Sequence, residues 1–450
     1  MSMTQTHLDW WSCDGDGHTT ITEPFARTST AITHSWMPSR RGLLVGAGLG
    51  LVGWLSKRTA LADLAITPGR KQRNVVVTVF LRGGADSMSL VVPYGEANYY
   101  RSRPNVSIPS PRDTGKRFRA LDLDGFFGLH PMLSPLQPFY QAGTLAIVHG
   151  CGSQDDTRSH FEAMSAMERG VARASQGPSD GWIARHLAST EHPSDSPLRA
   201  VAFGSTMPDS LRGATHAVAL NSLTEFRLEG EDAERAQIQA ALAAIYKPGK
   251  DEVHHAGQET LAVLDAIDRL DPASYKPSFG ATYPDSDLGN GLRQVACLVR
   301  ADLGLEVACL DKGGWDTHVA QGSELGTFPS LVDDLGKSLA AFARDMGPEM
   351  GRVTVVVMSE FGRRLAENTG LGTDHGRGGA MFLMGGGVKG GKVHARWPGL
   401  EESNLDPTGD LKVTTDYRDV LGEVLTHRLG NSKLAPVFAG YQPSAVGVVR

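Results

Sequence analysis

Two runs of β-branched residues constrain the fold more than any other feature of the chain: Asn74–Leu81, NVVVTVFL, and Arg352–Met358, RVTVVVM. A strand with one wet face alternates apolar and polar side chains. These runs do not alternate, so they read as central strands of a sheet covered on both sides. Thr144–His149, Leu305–Leu310 and Met381–Met384 read the same way. Helical spacing occupies Met132–Gln141, Ser159 to about Arg169, Gly181–Ser189, Leu288–Ala301, Pro329–Met346 and Thr415–Arg428. Strand and helix in alternation predict an α/β fold with a mostly parallel sheet. Between about 190 and 285 the order loosens. Leu198–Phe203 and Ala217–Leu220 look like strands, Glu231–Tyr246 and Glu252–Leu270 have helical spacing, and Pro and Ser cluster at 272–286. That stretch reads as an insertion or cap on a domain of residues 63–450.

The chain has 450 residues and is 40% apolar, enough for one large core. Its formal net charge is −6 with no long basic run, which argues against a nucleic-acid partner. Ser39-Arg40-Arg41-Gly42-Leu43-Leu44 is a twin-arginine pattern, followed by an apolar run from Gly42 to Leu55 and the small residues Ala60-Leu61-Ala62. The run is shorter than the roughly 20 apolar residues of a spanning helix. Residues 1–62 therefore read as an N-terminal extension and export signal cut before about Asp63, with Met37 a candidate start and an uncleaved anchor the alternative. The expected destination is periplasmic or secreted, through the twin-arginine export machinery and with no stable membrane span. Three cysteines remain past the signal, Cys151, Cys297 and Cys309, with no metal-type spacing; the last two read as buried apolar residues.

In parallel sheets, function gathers beyond the C-terminal strand ends. Polar clusters follow the strand-like runs at three places. Asp86 ends LRGGAD: its carboxylate suits a cation, or else a turn. Asp316 and His318 flank Thr317 in GGWDTH, and alternate residues of an extended segment point the same way. Glu360 follows RVTVVVM, and burial there demands a positive partner, either a cation or Arg363 or Arg364. His375 in TDHGRGG is a candidate ligand, with Asp374 a ligand or the group that orients it. Oxygen and nitrogen donors of this kind suit zinc foremost, with manganese, calcium or iron as alternatives. Arg377 offers a planar fork for phosphate or sulfate oxygens, and Arg82 is a second candidate for that role. Ser159 sits at a predicted helix start, where it is either a nucleophile facing the helix dipole or an ordinary cap. His160 is a ligand, a general acid or a packed histidine.

LRGGAD…VVPYGEANYYRSRP, RSHFEAMSAMERG, DGWIARHL, KGGWDTHVAQG, SEFGR and GTDHGRGGAMFLMGGGVKGG, after the twin-arginine signal, resemble in order the motifs of the bacterial exported family named "domain of unknown function 1501". That family resembles a branch of the alkaline-phosphatase-like superfamily, with its phosphatases and sulfatases. The resemblance implies a three-layer α/β/α sandwich, two metal positions and transfer or hydrolysis of phosphate or sulfate esters. It implies that Asp86, Asp316, His318, Glu360 and His375 are metal residues and that Ser159 is the nucleophile. Phe361 departs from it by standing where the superfamily has a metal histidine. The expectation is an exported metal-dependent ester hydrolase acting on a small anionic ester or surface polysaccharide. A non-catalytic binding or assembly protein on the same fold, or a redox metalloenzyme, is the alternative.

Overall fold

Val75–Leu81 (β1) buries every side chain along its length, as a run without polar alternation requires. Its apolar side chains contribute about 1.5–3 kcal/mol apiece. In the computed structural model, which describes residues 73–190, 196–247, 249 and 251–450, this strand lies inside a nine-stranded sheet. The signal segment and Met37 lie outside the described residues. The other strands used below are β2 (Leu145–Gly152), β3 (Ala200–Phe203), β4 (Ala217–Leu220), β5 (Val307–Lys312), β6 (Val353–Met358), β7 (Arg363–Glu367), β8 (Thr373–His375), β9 (Gly379–Gly385), β10 (Lys392–His394) and β11 (Thr415–Asp416). The sheet runs β10-β2-β9-β6-β1-β5-β3-β4, with β11 pairing to β2, while β7 and β8 form a separate ribbon.

The sheet is mostly parallel. β1 pairs in parallel with both β5 and β6, so that Val79 lies opposite Leu310 and Val357. β3 runs parallel to β4 and β5. β9 alone is reversed, antiparallel to β6 and β2. The reason is the link before it: from β6 the chain makes the ribbon rather than a crossover helix, and a parallel return needs a crossover. Consequently β1, β2, β5 and β6 all end at one edge of the sheet, and β9 begins there.

The helices used below are α1 (His160–Glu168), α2 (Trp182–Ser189), α3 (Asp232–Tyr246), α4 (Glu252–Leu270), α5 (Asp287–Ala301), α6 (Thr327–Met346) and α7 (Tyr417–Leu429). Side chains of β1 divide by parity. Val75, Val77, Val79 and Leu81 enter a core with Leu292 and Val295 of α5 and Val332 and Leu339 of α6. Val76 and Phe80 enter another with Ile183 and Leu187 of α2 and Val420 and Val424 of α7. In the stretch from 196 to 285, β3 and β4 extend the sheet, and α3 packs on α4. The helix expected over Met132–Gln141 is divided into a 3-10 segment, Pro131–Leu136, and a short helix, Gln137–Gln141. Pro135 and Pro138 remove the amide donors that a continuous helix would need. No helix among the described residues is long and apolar enough to cross a membrane. Cys151, Cys297 and Cys309 are buried and free.

Candidate functional site

The shared sheet edge brings distant segments together. The Asp316-Thr317-His318 segment leaves β5, Glu360 leaves β6, α1 follows the turn after β2, and His375 ends β8 just before β9. Close approach is possible because Gly83, after β1, has φ +117° and no side chain. A Cβ there would lie 2.6 Å from the Asp316 amide nitrogen. Gly372 is constrained in the same way, since a Cβ would meet the His318 carbonyl oxygen at 2.3 Å.

Three imidazoles converge on one carboxylate oxygen. Asp316 Oδ1 lies 3.0 Å from His318 Nε2, 3.1 Å from His375 Nε2 and 3.4 Å from His160 Nε2. His318 Nε2 and His375 Nε2 are 2.8 Å apart. The donor atoms of His160, Asp316 and His375 all lie within 4.8 Å of one another. Each imidazole is gripped through its other nitrogen. His160 Nδ1 donates to Glu360 Oε1 (2.7 Å), His318 Nδ1 to Asp374 Oδ1 (3.0 Å) and His375 Nδ1 to the Arg158 carbonyl (2.9 Å). Donation from every Nδ1 leaves every Nε2 of a neutral ring with its lone pair pointed into the cluster. His160 Nε2 is buried there with no hydrogen-bond partner. The cluster remains open to solvent, the Asp316 side chain being 47% exposed.

Electrostatics differentiate the members. Burial would raise the Asp316 carboxyl, but the hydrogen bond and positive charge of Arg363 outweigh it and hold the group well below the usual carboxylate range. Arg363 is fully buried and donates to Asp316 Oδ1 at 2.7 Å. Hydrogen bonding to Glu360 raises His160 above the ordinary imidazole value, whereas burial lowers His375. Hydrogen bonds from Asn368 (2.8 Å) and His318 lower the Asp374 carboxyl. Glu360 itself is buried. Beyond His160 it accepts from the Gly83 amide (2.8 Å) and the Ser359 hydroxyl (3.0 Å). It thus orients His160, as Asp374 orients His318.

The structure does not bring Asp86 into the cluster. Its Oδ2 is engaged by Arg103 (2.6 Å), Ser89 (2.6 Å) and Gln321 (2.8 Å), all buried. A desolvated carboxylate needs a positive partner, and Arg103, 17 residues further along the chain, supplies it. Gln321 relays this anchor to the site. Its Oε1 accepts from Thr317 Oγ1 (3.0 Å) and Thr373 Oγ1 (2.8 Å), the residues beside Asp316, His318 and Asp374. Arg103, Arg158, Gln321 and Asn368 were missed by sequence reasoning because their roles depend on which partner each meets: Arg103 meets a buried carboxylate, Arg158 acts through its carbonyl, and Gln321 and Asn368 act through side-chain amides.

Ser159 is the N-cap of α1 but its hydroxyl makes no capping bond. It lies between two residues that both touch the cluster. Arg158, at φ +52°, turns its carbonyl toward His375, and His160 supplies a ring nitrogen. Arg377 Nη1 is held by Asp406 (2.8 Å). Arg82 is paired with Glu168 and Asp311. Phe361 is buried against the rings of His160 (5.0 Å) and His375 (4.9 Å).

No curated protein matches the chain. A family model described as a protein of unknown function (DUF1501) matches residues 73–431. That span takes in every strand of the sheet and every residue of the cluster, and the chain belongs to the DUF1501 family.

Proposed function

We propose that this protein is an exported, metal-dependent hydrolase of phosphate or sulfate esters, built as an alkaline-phosphatase-like three-layer α/β/α sandwich. The parity of β1, with alternate side chains in two helix-covered cores, supports the sandwich. The Ser39–Leu44 pattern supports export to the periplasm or beyond.

One observation carries the metal reading. Two ring nitrogens whose protons sit on the far side face each other at 2.8 Å, with a carboxylate oxygen within 3.1 Å of both. Lone pairs so close repel unless a positive centre lies among them. Donors about 2.0–2.1 Å from one tetrahedral zinc stand about 3.3 Å apart, close to the spacings found. Asp316, His318 and His375 would hold the ion and leave its fourth position open, with His160 beside that position and Glu360 and Asp374 behind the imidazoles, the carboxylate–histidine pairing that orients rings at metal sites. Zinc suits this set best; manganese or iron also fit. When bound, the ion supplies Lewis acidity and brings the pKa of bound water near ~7.

The chain's own residues supply the rest. Ser159 presents an uncommitted hydroxyl at a helix N-terminus, where a developing negative charge is favoured. Arg377 would hold the ester's anionic oxygens once released from Asp406. In the test, purified protein is assayed for bound metal and for turnover of aryl phosphates, phosphodiesters and aryl sulfates. Zinc should be retained, and both zinc and turnover lost in His375→Ala. A folded, metal-free protein inactive on the whole panel would overturn the reading.

Phe361 favours a second reading. Its ring occupies the flank of His160 and His375 where another ligand would be needed for a second ion. A one-ion centre of this kind suits a binding or assembly protein for a surface polysaccharide. Retained metal with no turnover on any ester would select that reading.

A further inference from the structure

The described residues expose nine large apolar side chains, and four of them lie on the segments that hold the cluster: Phe161, Val319, Leu325 and Leu371. Phe161 follows His160 and is 85% exposed; Val319 follows His318 and is 74% exposed. Leu371 precedes His375 by four residues, and Leu325 sits in the turn after Gln321. Scattered single apolar residues on a surface need no explanation, but a group beside an open polar site does.

These side chains are held outward by a fixed backbone. Ala320 (φ +46°) and Leu371 (φ +59°) both adopt the left-handed conformation, which costs a residue with a Cβ about 1–2 kcal/mol. Hydrogen bonds lock the two turns together, from the Ala320 amide to the Gly370 carbonyl (2.8 Å) and from the Gln321 amide to the Leu371 carbonyl (2.9 Å). Strain of this sort persists where surrounding structure enforces it, and it concentrates at ligand clamps. Val319 Cγ2 points to the side of Gly370, where an added Cβ would lie 3.4 Å from it. Phe161 is carried by α1, whose first residue supplies a ring to the cluster.

We propose that Phe161, Val319 and Leu371 bind the hydrocarbon part of an anionic amphiphile whose charged head enters the cluster. The inference rests on the metal-dependent reading of the same site and adds the substrate class: esters bearing an alkyl or aryl chain rather than small hydrophilic ones. Charge complementarity selects the head group. A bound cation presents positive charge to a phosphate or sulfate, Arg377 adds its own once released from Asp406, and the apolar side chains begin one residue beyond His160 and His318.

The test compares methyl phosphate with decyl phosphate on the zinc-loaded full chain by calorimetry, alongside Phe161→Ser and Leu371→Ser. Both residues are exposed, so neither change removes core packing. Wild-type protein should bind decyl phosphate at least tenfold more tightly than methyl phosphate. Each variant should lose roughly tenfold for the decyl ester only, the order expected on removing one apolar contact. Equal affinity for the two esters overturns the proposal. So does a dimer abolished by Phe161→Ser without chain-length preference, which assigns the patch to a second copy. Retention on anionic-lipid vesicles without binding of free decyl phosphate overturns it in favour of a membrane surface. Zinc uptake is scored separately in the same samples: its absence sinks the cation reading, whereas chain-length preference reports on the apolar patch alone.

Discussion

Gln321 carries no charge, yet its amide ties Asp86 to the segments that bear Asp316, His318 and His375. Every polar atom of that amide has a buried partner. Gln321→Leu would leave two threonine hydroxyls without an acceptor and Asp86 without one donor. The expected cost is about 1–3 kcal/mol of stability. Zinc affinity should also fall roughly 10–100-fold, as when other groups behind metal ligands are removed. Denaturant melts and zinc titration read the two effects separately; unchanged affinity would make the amide a matter of stability alone. The residue scale also shows where sequence reasoning reached and stopped. Asp316, His318 and His375 were legible as candidates for one cluster because imidazole and carboxylate recur at strand ends. Whether Asp86 and Glu360 joined the cluster or met a side chain depended on Arg103 and His160, whose approach the fold sets.

At the scale of elements, the turn Leu405–Asp410 stands over the site's arginines. Asp406 holds Arg377, and Asp410 holds Arg158 through Nε at 3.0 Å and lies 3.7 Å from Arg364. On the proposed reading, Asp406 occupies the Arg377 edge that an anionic ester would use. Asp406→Asn should free Arg377 and raise affinity for inorganic phosphate roughly two- to fivefold, the scale of one half-screened ion pair. Isothermal titration measures it, and weaker binding would show that Asp406 positions Arg377 rather than competes for it. The long strands and helices were legible because their periodicity persists for several turns or pleats. The ribbon of β7 and β8 was not, because strands of five and three residues carry too little pattern to register.

Across the whole molecule, two buried histidines make folding sensitive to acid. His130 Nδ1 accepts from the Met132 amide and its Nε2 donates to the Ser323 carbonyl. His149 Nδ1 accepts from the Gly150 amide and its Nε2 donates to the Val91 carbonyl. Each ring must be neutral to keep both bonds, and burial lowers each from 6.5 to about 4. The unfolded chain therefore binds these protons first. The stability involved is fully present above pH 6.5 and is lost as the pH falls toward 4. Each histidine accounts for a loss on the order of 3 kcal/mol. Urea melts of metal-free protein at pH 7, 5.5 and 4 should show this fall, and His149→Gln should lessen its slope. An unaltered slope would mean that His149 is not the group taking up the proton.

The sequence by itself determined the sheet's inner strands and the main helices, because apolar continuity and helical spacing are local properties of consecutive residues. It also marked the strand ends as the chemical edge, since polar side chains gathered there could not share the core. Only the tertiary structure decided which of those side chains meet. Convergence at one carboxylate oxygen depends on β9 running backwards, on Gly83 and Gly372 letting backbones touch, and on Arg103 claiming Asp86. These are contacts between residues tens to hundreds of positions apart, set by packing that no stretch of sequence encodes on its own.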